Sequence, residues 1–213
     1  MHLISDALYF PPVFEASSEG ILAVGGDLSS ERLLLAYKSG IFPWFNPGEP
    51  IVWWAPKSRM VLYFDELIVS KSMRNILNRN TFKVTFNQNF SEVILNCSLI
   101  KREGQRGTWI SQEMMEAYCK LNELGIAKSV EVWQNNELVG GLYGIDLGFI
   151  FCGESMFSRV SNASKVAFIS LVNHLKNENY KLLDCQVYNE HLNSLGCREI
   201  DRDDFMKLLN AGS

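Results

Sequence analysis

Residues 140–186 read GGLYGIDLGFIFCGESMFSRVSNASKVAFISLVNHLKNENYKLLDCQ. Two apolar runs of strand length, a run of helical length and a third apolar run follow one another here. The runs carry polar residues that an ordinary buried strand excludes. Glu154 lies inside FIFCGESMF, and Asp184 and Gln186 lie inside LLDCQV. A carboxylate or amide left dry and unpaired costs several kcal/mol, so each must be hydrogen-bonded or put to use. These three residues are the first candidates for a functional site.

Working outward, KSVEVWQ, the pair Asn135-Asn136 and ELVGGLYGI predict a hairpin, and Asp146-Leu147-Gly148 predicts a second. A helix is predicted from near Ser161, with Val166, Ile169, Ser170 and the stretch 172–175 turned inward. An antiparallel meander, then a helix, then another strand is the core order of the acyltransferase fold used by acetyl-CoA N-acetyltransferases. Those enzymes hold the CoA pyrophosphate on a glycine-rich turn that opens the helix. Here the segment reads MFSRVSNASK, without glycine, so no close-approaching nest of backbone amides is signalled. CoA is not the expected donor.

Further upstream, Ser29, Ser70 and Ser111 each precede a helical pattern as N-caps, and Gly40 and Gly125 stop two of those helices. NFSEVILNCSLI predicts another helix, and MVLYFDELIV and FKVTFN predict strands. Residues 1–26 are expected to be irregular. The segment IFPWFNPGEPIVWWAPKSR is too broken for a helix and carries three tryptophans. It reads either as a small satellite core or as a platform for a nucleobase, where stacking is worth ~1–3 kcal/mol per base.

A chain of 213 residues, 47% apolar, suits one large domain or two small ones. No run approaches the roughly 20 apolar residues of a membrane helix, and the N-terminus lacks the basic region of a secretion signal. Five cysteines without a CxxC pair are expected to be reduced thiols of a cytosolic protein. The net charge of −4 argues against wholesale coating of nucleic acid. Its distribution is uneven: Lys57, Arg59, Lys71, Arg74, Arg79 and Lys83 face only Asp65 and Glu66 over 57–83, and Lys101, Arg102 and Arg106 extend the basic character. That is either ordinary surface charge or a surface for RNA.

The strings GIFPWF (40–45), GTWI (107–110), FCGESMFSRVSNASK (151–165) and DCQVYNEHLNSLG (184–196) are long and unusual. Together with GILAVGGDLSSERLLLAYKSG, WWAPKSR, SVEVW and LVGGLYG, they resemble the leucyl/phenylalanyl-tRNA–protein transferase family over nearly the whole chain. One departure is Lys128, where the family often has His before SVE. The resemblance implies an α+β protein: a small N-terminal α/β domain over 1–62, and a GNAT-like aminoacyltransferase domain over 63–213 with a mixed, mainly antiparallel sheet. It implies transfer of Leu or Phe, and Met less well, from aminoacyl-tRNA to proteins whose N-terminal residue is Arg or Lys. Products of that reaction are degraded by the N-end rule. No cofactor, metal or membrane is called for, and a cytoplasmic monomer is expected.

Ester aminolysis needs an oriented amine, a path for its proton and a stabilised oxyanion. Asp184 and Gln186, two apart on a strand, are expected to share a face, with Cys185 opposite. The resemblance puts a catalytic relay on this pair, with Asp184 fixing the Gln186 amide and Glu154 binding an amine. A hydrogen-bonded structural pair is the alternative. His191 reads as a helix-start residue more readily than as a base. The resemblance makes Trp44 and Trp109 the clamp for the terminal adenine; the uneven charge makes Lys71, Arg74, Arg79 and Lys83 the candidate contacts to tRNA. Leu142, Phe151, Met156 and Phe168 are candidates for the aminoacyl pocket.

Overall fold

The computed structural model describes residues 1–100 and 108–212. The N-terminal part carries β1 (His2–Ile4), β2 (Ile21–Gly25), α1 (Ser30–Lys38), β3 (Phe42–Pro43) and β4 (Val52–Trp54). These strands form a four-stranded sheet in the order β1-β2-β4-β3. Residues 1–26 are thus less irregular than expected, because β1 finds a parallel partner in β2 that local sequence does not reveal. Then come β5 (Ser58–Leu62), α2 (Lys71–Asn78), β6 (Lys83–Phe86), α3 (Phe90–Leu99), α4 (Gln112–Glu123), β7 (Ala127–Gln134), β8 (Glu137–Asp146) and β9 (Ile150–Ser158). The chain ends with α5 (Ala163–Asn177), β10 (Leu182–Gln186), α6 (Glu190–Asn193), β11 (Arg198–Asp201) and α7 (Arg202–Asn210).

The second sheet has seven strands in the order β11-β5-β10-β9-β8-β7-β6. Its pairings are antiparallel except β9 with β10, where α5 carries the chain across and returns it parallel. Sheet membership changes between Trp54 and Ser58, because β5 lies beside β10 and β11 in the large sheet. The expected division at 62/63 does not coincide with that change.

Local sequence accounts for many of the boundaries. The Ser29, Ser70 and Ser111 hydroxyls accept from the amides of Arg32, Met73 and Met114, caps worth about 1 kcal/mol each. Gly40 and Gly125 follow α1 and α4 at φ of 73° and 77°. Asn135 and Asn136 adopt φ of 52° and 64°, which turns β7 into β8 with the twist a tight hairpin requires. The inward face of α5 differs in detail from the expectation. Phe168 and Leu171 are buried, whereas Asn173 and His174 are exposed.

The large sheet separates two apolar cores. One joins the small sheet, α1, α3, α4 and α7, around Leu22, Trp53, Ile94, Tyr118 and Phe205. The other lies under α5 and α2, around Leu62, Met73, Phe168 and Val172. The small sheet therefore packs into the core of the large one and has none of its own. Among the described residues, no helix is long and apolar enough to cross a membrane.

Candidate active site

The site begins where two parallel strands part. β9 and β10 pair only through Leu182↔Ile150, Leu183↔Phe151 and Asp184↔Cys152. Beyond Cys152, β9 runs on to Ser158 paired with β8 alone. The register of β9 slips by one residue between Gly153 and Ser155, which leaves Glu154 as the extra residue of a bulge. A second bulge in β10 separates Asp184 from Gln186, and Gln186 sits at φ 58°. Between the diverging strands lies a cleft of about 620 Å³.

Glu154, Gln186 and His191 line this cleft, with Trp44 on one wall beside Phe42 and Trp109 also at its surface. Leu142, Met156, Phe168, Leu171 and Leu183 form an apolar side. Trp44 is 37% exposed and lies 5.5 Å, ring to ring, from Trp54, whose Nε1 donates to the Trp44 carbonyl at 2.6 Å. Trp53 is fully buried, with Nε1 donating to the Gly25 carbonyl at 2.9 Å. The aromatic segment is therefore both core and surface: Trp53 packs inside, and Trp44 faces the cleft. Phe151, expected in the aminoacyl pocket, does not line the cleft. It sits on the α5 side of β9 with its ring against Gly144.

The three polar residues are brought together, though by other bonds than expected. Asp184 is fully buried and takes a bidentate grip from Arg59, Nε to Oδ1 at 2.8 Å and Nη2 to Oδ2 at 2.6 Å. The Arg59 Nη1 donates to the Gly40 carbonyl, and its guanidinium lies between the rings of Phe42 and Phe205, 4.8 and 4.6 Å from their centroids. Asp184 also accepts from the backbone amide of Gln186 at 3.0 Å. The Gln186 side chain is held by Glu154 instead: Nε2 donates to Oε1 at 3.0 Å. That bond turns the amide oxygen of Gln186 away from Glu154. Strict alternation ends at the bulge: Asp184 turns to Arg59 and Gln186 to Glu154, while Cys185 belongs to the core under α5 and borders the cleft.

Two residues of the site gave no signal in the sequence beyond ordinary helix spacing. The Tyr118 hydroxyl, on α4, donates to Glu154 Oε2 at 3.2 Å and shares a short hydrogen bond with the Tyr37 hydroxyl on α1. Burial pushes the Glu154 carboxyl up to about 7; the tyrosine hydroxyls and Arg59 pull it down, and the Asp184 charge pushes it up. Both tyrosines are driven well above their ordinary range, first by burial and then by the Glu154 charge, so they stay protonated and act as donors.

A covalent route through Cys185 has no support. Its thiol is raised by its contact with Cys197, 3.8 Å away, and by burial, so the thiolate is disfavoured. His191 is on α6, and burial together with Lys165 lowers its pKa. The Asn189 side chain, not His191, caps that helix by accepting from the Leu192 amide. At the start of α5, the Ser164 amide donates to the Ser158 hydroxyl at 3.2 Å. Lys71, Arg74, Arg79 and Lys83 are exposed on α2 and β6, and none of them lines the cleft. Lys101, Arg102 and Arg106 lie outside the described residues. Among the described residues there is no cluster of side chains that could hold a metal ion.

Residues 61–210 match the family model for leucyl/phenylalanyl-tRNA protein transferase, and residues 26–57 match that of its N-terminal domain. The leucyl/phenylalanyl-tRNA–protein transferase of Flavobacterium johnsoniae is 72% identical over 99% of this chain and 100% of its own length. That of Flavobacterium psychrophilum is 66% identical over 98% of this chain and 99% of its own. Among solved structures, a GCN5-related N-acetyltransferase from Kribbella flavida is similar at a TM-score of 0.38 and 8% identity, over 83% of this chain and 62% of that one. The chain belongs to the leucyl/phenylalanyl-tRNA–protein transferase family, whose members are aminoacyltransferases.

Proposed function

We propose that the protein transfers Leu or Phe, and Met less well, from aminoacyl-tRNA to the α-amine of proteins that begin with Arg or Lys. The product would be degraded by the N-end rule, and the enzyme would act as a monomer in the cytoplasm. The observation that carries the chemistry is the Gln186–Glu154 hydrogen bond at the open end of the strand wedge, inside the cleft that Trp44 and Trp109 line.

The reaction is aminolysis of an ester. The acceptor nitrogen bonds to the aminoacyl carbonyl carbon, the bond to the 3′-oxygen breaks, and one proton moves from nitrogen to that oxygen. A free α-amine titrates near ~7.7–8, so a usable neutral fraction exists at neutral pH. The Gln186 amide oxygen, turned outward by Glu154, accepts from the amine and aims its lone pair at the ester. Glu154, held near 7, is matched to take the proton and return it to the leaving oxygen. Asp184 and Arg59 act one layer below, fixing the backbone of Gln186.

Trp44 and Trp109 stack on the terminal adenine. Leu142, Met156 and Phe168 receive the aminoacyl side chain; such a pocket separates homologues by only ~1–3 kcal/mol per methylene, which suits tolerance of Leu, Phe and Met. Lys71, Arg74, Arg79 and Lys83 contact the tRNA body. The test is transfer of labelled Leu from Leu-tRNA to an Arg-initiated peptide, with acetyl-CoA as a competing donor. Acetylation in place of leucylation would overturn the reading. Charge reversal of the four basic residues should weaken tRNA donors and reduce their salt dependence while leaving leucyl-adenosine unaffected.

A further inference from the structure

The glycines of β8 and β9 are of two kinds. A Cβ at Gly140 would lie 2.5 Å from that of Ala163, and one at Gly141 would lie 2.7 Å from the Val130 carbonyl oxygen. At Gly144 it would run into the Cys152 carbonyl. Packing dictates glycine at all three. Gly153 differs. Its φ lies outside the left-handed region, and a Cβ there would meet only the Asp184 carbonyl oxygen and Leu183 Cδ1, each at 3.8 Å. That is ordinary contact. Neither the backbone nor the packing of the protein alone asks for glycine here, and a glycine inside a strand carries an entropic cost.

What Gly153 borders is the cleft. The side on which its side chain is missing follows from its neighbours. Leu183, the side chain nearest to the added Cβ, belongs to the core under α5, as does Phe151, two residues earlier on β9. That is the side of Leu142, Met156 and Phe168, and not the side of the tryptophans.

We infer that Gly153 is a specificity-determining residue: the volume freed by its missing side chain belongs to the apolar pocket and sets how large an aminoacyl side chain the pocket admits. This rests on the reading of that pocket as the aminoacyl site. A phenyl ring reaches further than the branched end of Leu, so a methyl group at position 153 takes room from Phe before it takes room from Leu. One carbon in an apolar pocket changes discrimination by about 10–200-fold.

The test uses Gly153→Ala in the full chain, with leucyl- and phenylalanyl-adenosine 3′-esters as donors and an Arg-initiated peptide as acceptor. The variant should keep a thermal midpoint near that of the unaltered protein, and its Phe-to-Leu ratio of kcat/KM should fall by about tenfold or more. An unchanged ratio in a folded variant overturns the inference. Loss of the fold overturns it too, because packing would then require the glycine. Should a folded variant use neither donor, binding of the matching non-reactive 3′-amides decides: weakening selective for Phe supports the inference, and an unchanged affinity ratio overturns it. The unaltered protein is the control for the underlying reading. If it transfers from neither ester nor from charged tRNA, that reading falls and the inference with it.

Discussion

Replacing Glu154 by Gln should make the protein more stable and less active, by an amount that depends on pH. The Glu154 carboxyl is raised from an ordinary 4.5 to about 7, chiefly because burial opposes its ionisation. A folded-state pKa above the unfolded one means that the native protein holds a proton the unfolded chain releases. The associated stability is complete below 4.5 and is lost as pH rises to about 7. That difference in titration corresponds to about 3 kcal/mol at pH 8.5. A neutral Gln keeps the shape, can accept from the Tyr118 hydroxyl and, with the Gln186 amide flipped, donate to the Gln186 oxygen, so it escapes the loss. For a chain of this size, each kcal/mol moves the midpoint by about 2–4 °C, so the variant should melt about 6–12 °C above the unaltered protein at pH 8.5. The gap should shrink towards zero near pH 4.5. Activity should fall by ~10²–10⁴, as expected when a proton acceptor is removed. Melting curves recorded at several pH values from 4.5 to 8.5 provide the check. A midpoint difference of constant size, or a variant less stable at pH 8.5, would refute the burial argument and with it the assignment of Glu154 as a base poised near neutrality.

Tyr118→Phe removes a donor that holds the Glu154 carboxyl down, so the acid limb of the kcat/KM profile should move to higher pH; a pH–rate profile that does not move removes Tyr118 from the site. Arg59→Met strands the buried Asp184 carboxylate, a change that costs about 3–5 kcal/mol, and calorimetry should find a lowered midpoint even in the absence of substrate. Trp44→Ala and Trp109→Ala should raise KM for charged tRNA and for aminoacyl-adenosine alike, by the ~1–3 kcal/mol of a lost stack, with kcat little changed. Equal KM values in folded variants would exclude the adenine clamp.

What could be read from the sequence follows from the range of the forces involved. Caps at Ser29, Ser70 and Ser111 were legible because a hydroxyl bonding an amide three residues on is a local event. The Asn135-Asn136 turn was legible because few residues tolerate positive φ. Glu154, Asp184 and Gln186 stood out because the desolvation cost of a polar group in an apolar run can be recognised without knowing its partner. The order of meander, helix and strand was legible from periodicity together with the turn residues between the runs.

The partners were not. Arg59 reaches Asp184 across 125 residues and Tyr118 reaches Glu154 across 36, and no local pattern encodes either bond. Asp184 holds Gln186 through its backbone amide, while the Gln186 side-chain amide donates to Glu154, a partner 32 residues away that no local pattern encodes. Phe151 and Phe168 are alike in composition, yet only Phe168 lines the cleft: the first lies where β9 is still paired with β10, the second on the helix beside their opening. Sequence determined the capped helices, the hairpin meander and which residues could not be idle. Tertiary structure decided where β9 and β10 part, because that depends on two bulges and on the strands packed on either side, and the parting places Glu154 and Gln186 at the mouth of a cleft instead of in a closed core.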